Sequence, residues 1–423
     1  NRMMATQIRR ETVLRRGVLN NMTIGVLGAG YVGLATAASF AARGFAVVCA
    51  DIDKKKIATL QIGELPFFEE GMKEVFAAAS IPVAFTTDLA KACTCDIVFC
   101  CVGTPSAADG SADLSFVRSS ARTCADVAPN AVFVLKSTVP PGTSRSISEC
   151  VEGKLRVVAN PEFLREGHAV HDALKPLRIV IGADDASVES VLLDLYSGTG
   201  APIVSTNTVS AEMIKYASNS FLATKISFIN DIANLCDIIG ADVRSVATGM
   251  GLDDRIGAKF LQPGPGYGGS CFPKDVRALT HLGRSVNVPL RILEATTAIN
   301  ADRQSLPHRQ LVEHFTDLKG KRIAVWGLAF KPGTDDVRDA PSLGLLRRCM
   351  ADDAECVAYD PLVRSLSSEF GEIEIATSAI ESLQDADALV IMTDCLEFAG
   401  FDRAEILRSM KGSCIIDPRY VLR

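Results

Sequence analysis

Short apolar runs alternate along this chain with stretches in which apolar residues recur at helical spacing. Residues 23–28, 45–50, 96–102, 131–135, 156–159, 178–182 and 202–204 read as strands buried on both faces, the pattern of a parallel sheet covered by helices. Residues 34–42 are alanine-rich and helical, closed by Gly44. From 209 to 240 the apolar spacing continues without a strong breaker and predicts one long helix. Further helices are predicted over 242–247 and 289–302, so residues 207–305 form a mainly helical middle segment. A second strand–helix series follows, with strands at 321–327, 356–360, 388–392 and 414–417 and a helix at 340–350. The expected fold class is therefore α/β: two Rossmann-like parallel-sheet domains joined by a long helix and a helical middle segment. The expected division is an extension over 1–21, a first Rossmann-like domain over 22–206, the helical segment over 207–305 and a second Rossmann-like domain over 306–423.

The first strand runs into Gly28-Ala-Gly-Tyr-Val-Gly33, and the second ends at Asp51. This is the dinucleotide-binding βαβ pattern, with its acid about 20 residues on. Gly28 makes the turn, Gly30 lets a pyrophosphate approach the backbone, and Gly33 allows close helix–strand packing. Tyr31 and Val32 then open a helix whose N-terminus faces the phosphates. Asp51 accepts hydrogen bonds from the adenosine ribose and repels a 2′-phosphate, which favours NAD over NADP.

Ligands of such sheets collect at the carboxyl ends of the strands. Thr104, Thr138 and Glu162 are expected at that rim. Glu162 and Glu166 share a helix face if residues 160–166 are helical, and otherwise form a solvated surface. Lys215 and Asn219, four apart on the long helix, project to one side.

Residues 264–275, Gly-Pro-Gly-Tyr-Gly-Gly-Ser-Cys-Phe-Pro-Lys-Asp, hold four glycines and two prolines and read as a shaped loop. Cys271 lies in it with Lys274 and Asp275 just after. A thiol in such surroundings is a candidate nucleophile, and an inert structural cysteine is the other reading. Phe330-Lys331 and the residues up to Arg338 follow the first strand of the second domain, where the first domain has its glycines. A nucleotide site built on Lys331 or a solvated loop are the two readings there.

Composition narrows the classes. A chain of 423 residues is too long for one core. Its net charge of −6 argues against a general nucleic-acid binder but leaves room for a small anionic substrate. The 13 cysteines are odd in number and scattered, several in apolar runs, which suits reduced thiols in the cytoplasm. Cys93 with Cys95 and His168 with His171 lack a second pair at zinc spacing, so no metal is expected. No apolar run is long enough for a membrane span. Residues 1–21 are arginine-rich without an apolar core; they read as a disordered extension or an upstream start before Met22, with a transit peptide as the other reading, and not as a secretory signal.

Five phrases in one order, Gly28-Ala-Gly-Tyr-Val-Gly33, Asn160-Pro-Glu-Phe-Leu-Arg-Glu166, Glu212-Met-Ile-Lys-Tyr216, Gly268-Gly-Ser-Cys-Phe-Pro-Lys-Asp275 and Phe330-Lys331 with Arg338, closely resemble the UDP-glucose/GDP-mannose dehydrogenase family, its UDP-glucose branch above all. The resemblance covers residues 22–423 and implies a homodimer through the helical middle. It implies oxidation of a sugar 6-hydroxyl to a carboxylate with two NAD in turn, here UDP-glucose to UDP-glucuronate through a thiohemiacetal and a thioester on Cys271. It places Lys215 and Asn219 beside the C6 oxygen, and Asp275, Glu162 and Thr138 as groups that hold or activate water. It makes Gly28, Gly30, Gly33, Asp51, Lys56, Thr104, Thr138, Glu166, Lys274 and Arg338 contacts of NAD. The implied substrate site includes Glu162, Phe163, Leu164, Phe260, Leu261, Gly268 and Lys331, with Arg255 reaching across the dimer. Members acting on GDP-mannose or UDP-N-acetylhexosamines share this chemistry. A two-electron hydroxyacid-type dehydrogenase needs no thiol, and a non-catalytic binder needs neither Cys271, Lys215 nor Asp275.

Overall fold

Two parallel-dominated sheets organise the computed structural model, which describes residues 22–371 and 373–422. The extension expected over 1–21 lies outside the described residues. One unit ends at Ala217 and the other begins at Ser218. Each has its own sheet and core.

The first unit holds β1 (Thr23–Leu27), β2 (Ala46–Ala50), β3 (Ala84–Thr86), β4 (Ile97–Cys100), β5 (Val132–Leu135), β6 (Arg156–Ala159), β7 (Ile179–Gly182) and β8 (Ile203–Thr206). Their order is β3-β2-β1-β4-β5-β6-β7-β8. β1 lies between β2 and β4, so the chain reverses its direction of winding there, and ligands bind at the carboxyl side of such a switch point. Side chains of β4 alternate between two cores: Ile97 and Phe99 face one, Val98 and Cys100 the other. Burial on both faces is why these strands read as unbroken apolar runs. Two features differ from the sequence expectation. β3 is a further strand at the edge, and β7 pairs antiparallel with β6 before β8 resumes parallel pairing with β7.

The second unit holds β9 (Arg322–Trp326), β10 (Glu355–Tyr359), β11 (Glu374–Ile375), β12 (Ala388–Ile391) and β13 (Cys414–Ile416), in the order β11-β10-β9-β12-β13, all parallel. β9 also serves two cores, Ile323 and Val325 on one face, Ala324 and Trp326 on the other. Trp326 is fully buried, and its indole N–H donates to Ser382 Oγ at 2.9 Å, so neither the ring nor its polar tip is left wanting.

The long helix Thr208–Ile239 starts in the first unit and continues into the second. Asn207 caps it, its Oδ1 accepting from the Ser210 N–H at 2.8 Å. Val243–Gly251, Phe272–Ser285 and Arg291–Phe315 complete the helical segment. The last of these runs well past the expected end at 302, through Pro307.

Candidate active site

In the first unit the chain leaves β1 through Gly28 at φ +97°, where a Cβ would come within 2.8 Å of the Cys101 carbonyl oxygen. Gly33 is demanded by packing: its Cβ would lie 1.8 Å from the Gly28 carbonyl oxygen. At Gly30 a Cβ would meet nothing within 4 Å, so the space over the turn is open on the side a pyrophosphate would take. The helix Tyr31–Ala42 starts at once, and no side chain caps it. Asp51 closes the other side. Its Oδ2 accepts from the Ala29 N–H at 2.7 Å and from Lys56 Nζ at 3.0 Å, and its Oδ1 from the Asp53 N–H at 2.9 Å. Burial pushes this carboxyl up, but those donors outweigh it and hold it below the usual carboxylate range. An ionised acid beside an open glycine turn is what the ribose and pyrophosphate of a dinucleotide require, so the residues fit NAD.

Further along the same rim, the Thr104 hydroxyl donates to the Thr138 carbonyl at 2.8 Å and ties together the segments leaving β4 and β5. Thr138 and Lys215 line a cavity of about 10 Å³ with Pro161 and Glu212, on the scale of one water. Glu162 and Lys215 form a buried ion pair at 2.8 Å. Burial raises the Glu162 carboxyl, yet the Lys215 ammonium and the Leu164 N–H prevail and keep it below the usual range. Glu166 does not share a helix face with Glu162, because residues 161–165 form no helix. The Leu164 N–H is turned towards the Glu162 carboxylate, a local bond that competes with helix formation. The ring of Phe163 lies under two cations, Lys215 Nζ at 5.4 Å and Arg178 Cζ at 3.6 Å from its centroid. Glu212 serves the scaffold instead. Its carboxylate accepts from the Gly142 and Ser144 N–H groups at 2.6 and 2.7 Å and caps the helix Thr143–Cys150.

In the second unit the expected loop over 264–275 ends earlier. Cys271 is the N-cap residue of Phe272–Ser285, and Lys274 and Asp275 belong to its first turns. Pro273 suits the start of a helix, where no partner is needed for its missing N–H. The positive end of the helix dipole thus lies at the thiol and favours an anion there. Ser270 Oγ lies 3.5 Å from Cys271 Sγ. Cys271 is partly exposed, whereas every other cysteine except Cys150 is buried. Burial pushes core thiols such as Cys100, Cys101 and Cys395 up to about 12, which silences them. Asp275 is fully buried and accepts from Asn219 Nδ2 and Lys274 Nζ, both at 2.6 Å. Lys274, expected at the cofactor, holds this carboxylate.

Four side chains fix the loop before Cys271. Asn230 accepts from the Gly264 N–H at 2.8 Å, and Arg303 donates to the Gly264 carbonyl at 2.8 Å. Asn300 accepts from the Tyr267 N–H at 2.7 Å, and Gln304 donates to the Tyr267 carbonyl at 2.9 Å. These four helix residues carry no signal in the sequence. Gly268 admits no side chain, since a Cβ would lie 2.2 Å from the Asp339 carbonyl oxygen. The Gly269 N–H donates to the Arg338 carbonyl at 2.9 Å, which brings Phe330 and Arg338 to the cysteine loop. The Arg338 guanidinium itself rests on Asp336. Phe260 (φ +66°) packs its ring 6.1 Å from that of Phe272, and Leu261 is buried. Lys331 borders a cavity of about 310 Å³ with Thr334, Asp360, Cys395 and Glu397. Arg255 is apart from these groups on the surface, paired with Asp253 at 2.6 Å. No cluster of three or more histidine, cysteine or acidic side chains suited to a metal occurs among the described residues.

A glycine turn with an acid at the end of the next strand marks the first unit as a dinucleotide-binding domain, and the second unit carries a thiol at a helix N-terminus, a candidate nucleophile. Comparison with known proteins narrows the class. Residues 22–199, 209–302 and 324–423 match the NAD binding, central and UDP binding domains of the UDP-glucose/GDP-mannose dehydrogenase family. The chain is 42% identical over 408 residues to UDP-glucose 6-dehydrogenase TuaD of Bacillus subtilis, covering 94% of this chain and 88% of that one. It is 42% identical over 422 residues to UDP-glucose 6-dehydrogenase of Rhizobium meliloti, covering 95% and 96%. A UDP-glucose dehydrogenase structure from Pyrobaculum islandicum superimposes with a TM-score of 0.89 at 36% identity, over 95% of each chain. The chain belongs to the UDP-glucose/GDP-mannose dehydrogenase family.

Proposed function

We propose that the protein oxidises the 6-hydroxyl of UDP-glucose to the carboxylate of UDP-glucuronate, with Cys271 as covalent nucleophile. The observation that carries this reading is Cys271 itself, a partly exposed thiol at a helix N-terminus among mostly buried cysteines. NAD, when bound, takes two electrons in each of two successive oxidations. Gly28, Gly30, Gly33 and Asp51 hold it, and Tyr31, Val32, Lys56, Thr104, Glu166 and Arg338 complete its surroundings. After the first oxidation the Cys271 thiolate adds to the C6 aldehyde, forming a C–S bond and placing negative charge on oxygen. Lys215 and Asn219 donate hydrogen bonds to that oxygen. The second oxidation leaves a thioester. Water, held by Thr138, Glu162 and Asp275, then breaks the C–S bond, releasing the carboxylate and restoring the thiol. Phe163, Leu164, Phe260, Leu261, Gly268 and Lys331 bind the nucleotide sugar.

The 40–42% relatives named for UDP-glucose favour that substrate; a UDP-D-ManNAc dehydrogenase from Pyrococcus horikoshii shares the fold at 29% identity. We assign residues 22–206 to NAD, 207–305 to dimerisation and the cysteine loop, and 306–423 to the UDP moiety. Phe221, Phe228 and Leu235 recur every seven residues on the long helix and are exposed, a coiled-coil-like stripe that suits a second copy of the chain. Arg255 then acts in the partner's site. Among the described residues no helix is long and apolar enough to cross a membrane. With every cysteine free, the reaction belongs in a reducing cytoplasm.

The deciding measurement is NADH formed per UDP-glucose consumed. Two per substrate is expected, and one would make this a two-electron dehydrogenase. Cys271→Ala should lower UDP-glucuronate formation by about 10³-fold or more, with NAD affinity retained. A folded variant working at the parent rate would overturn the thioester route. Light scattering should give a dimer mass, and Leu235→Glu should shift it towards the monomer.

A further inference from the structure

We propose that Arg178 is a substrate-binding residue for this reaction, and that its guanidinium takes a phosphate of the nucleotide sugar's diphosphate. The inference rests on the reading given above. Arg178 immediately precedes β7, which runs antiparallel to β6 with Gly182 opposite Ala159, so the beginning of β7 lies beyond the carboxyl end of β6, where Asn160 Nδ2 donates to the Val180 carbonyl. There it stacks on Phe163 with Cζ 3.6 Å from the ring centroid. No carboxylate among the described residues pairs with it. Burial alone acts on its pKa, lowering it, which is the condition of a partly desolvated cation without a counter-charge. The other cation on that ring, Lys215, is already neutralised by Glu162 at 2.8 Å. The rim therefore carries an excess positive charge at Arg178.

The geometry points to which part of the substrate takes it. In a glucosyl diphosphate, C5, which bears C6, and C1, which bears the phosphate oxygen, flank the pyranose ring oxygen. A cation serving C6 and a cation serving the first phosphate must therefore stand about one six-membered ring apart. Lys215 and Arg178 stand 5.4 and 3.6 Å from the centroid of the Phe163 ring, so the two cations are at most 9.0 Å apart, close enough to serve the two ends of such a sugar phosphate. A planar guanidinium held flat against an aromatic face keeps its edge N–H groups available, and that edge matches two phosphate oxygens. The stack also removes much of the entropy cost of ordering a long side chain on binding.

The test compares UDP with uridine, which lacks the phosphates, binding to the full-length protein by calorimetry. Arg178→Ala should weaken UDP about tenfold to a hundredfold, the scale of one lost charge-assisted hydrogen-bond pair, and leave uridine unchanged. The KM for UDP-glucose should rise by a similar factor, while kcat and the KM for NAD change less than about threefold. Arg178→Lys should recover part of the UDP affinity, and the salt dependence of UDP binding should be shallower in Arg178→Ala than in the parent. Equal losses for UDP and uridine, or no loss for UDP, would overturn the proposal and leave the Phe163 stack as loop support. If Arg178→Ala does not fold, Arg178→Gln and Arg178→Lys carry the same comparison. A parent protein that binds UDP but never oxidises UDP-glucose would sink the functional reading while leaving the role of Arg178 open to the same binding test.

Discussion

The two units solve the same opening problem differently. Each has a central strand that turns at a glycine with positive φ, Gly28 at +97° and Gly327 at +89°. Each places an acid at the end of the next strand to hold the turn: Asp51 accepts from the Ala29 N–H, and Asp360 from the Leu328 and Ala329 N–H groups at 2.8 and 3.1 Å. They part at the helix. In the first unit it starts at Tyr31 and is packed so tightly that position 33 admits only glycine. In the second the chain runs through Phe330, Lys331 and Arg338 before Pro341–Ala351 begins, and the buried Ser342 hydroxyl donates to the Leu328 carbonyl at 2.6 Å. A helix N-terminus set directly on the turn can cradle phosphates with backbone alone. A helix set back behind a loop leaves recognition to side chains, the role proposed above for Lys331.

The strongest way to break this contrast is at the packed glycine. Gly33→Val should abolish NAD binding and destabilise the protein by about 3 kcal/mol or more, because backbone cannot give way to the new side chain. Ser342→Ala, its counterpart, should cost only about 1 kcal/mol of stability and leave the KM for NAD unchanged. Thermal unfolding and NAD titration of both variants check the pair. If Ser342→Ala harmed NAD binding as much as Gly33→Val, the proposed division of labour would fail.

A smaller effect separates the two acids. Asp51→Ala should raise the KM for NAD about tenfold to a hundredfold, the scale of losing hydrogen bonds to a charged group, and narrow the preference for NAD over NADP. Asp360→Ala strips the carboxylate from the Leu328 and Ala329 N–H groups and also from those of Leu362 and Val363, so its loss should appear as stability, with NAD binding intact. Kinetics with both cofactors tests this, and equal use of NADP by the parent would remove the role given to Asp51.

The smallest effect is that of pH. Asp51 and Glu162 are both held below the usual carboxylate range in the folded protein. The stability they contribute is complete above their unfolded values, about 3.9 and 4.3, and is lost as pH falls through the lower folded values. Melting temperature should therefore be level near neutrality and fall only below about pH 4. A decline already beginning above pH 5 would mean that other groups dominate.

What the sequence made legible was whatever rests on local pattern. The βαβ unit, the long helix and the second strand series follow from apolar period and turn residues. β3 did not stand out, because Ala84–Thr86 is a short edge strand without an apolar run. The helix Arg291–Phe315 runs past the expected end at 302 and through Pro307, a residue that ordinarily breaks a helix. It is tolerated inside because tertiary contacts hold the turn before it: Arg303 is buried and bonded to Gly264 and to Asn234. Glu162 and Glu166 read as one helix face because spacing cannot show that the Leu164 N–H turns to the Glu162 carboxylate. Candidate site residues stand out by type and motif, but their partners do not. Spacing cannot reveal that Glu162 pairs with Lys215, that Asp275 takes both Asn219 and Lys274, or that Arg178 lies on Phe163. Most of those contacts join residues far apart in the chain.

The four side chains that hold Gly264 and Tyr267 bear on motion as well as shape. A glycine-rich loop loses much conformational entropy on ordering, and here folding has met that cost before any substrate arrives. The backbone amides of Gly264 and Tyr267 should accordingly exchange with deuterium as slowly as those of the helices that hold them, far more slowly than a loop of this composition would alone. Cys271 thus follows a segment set in place during folding, so this stretch of backbone needs no further ordering when a ligand reaches the thiol.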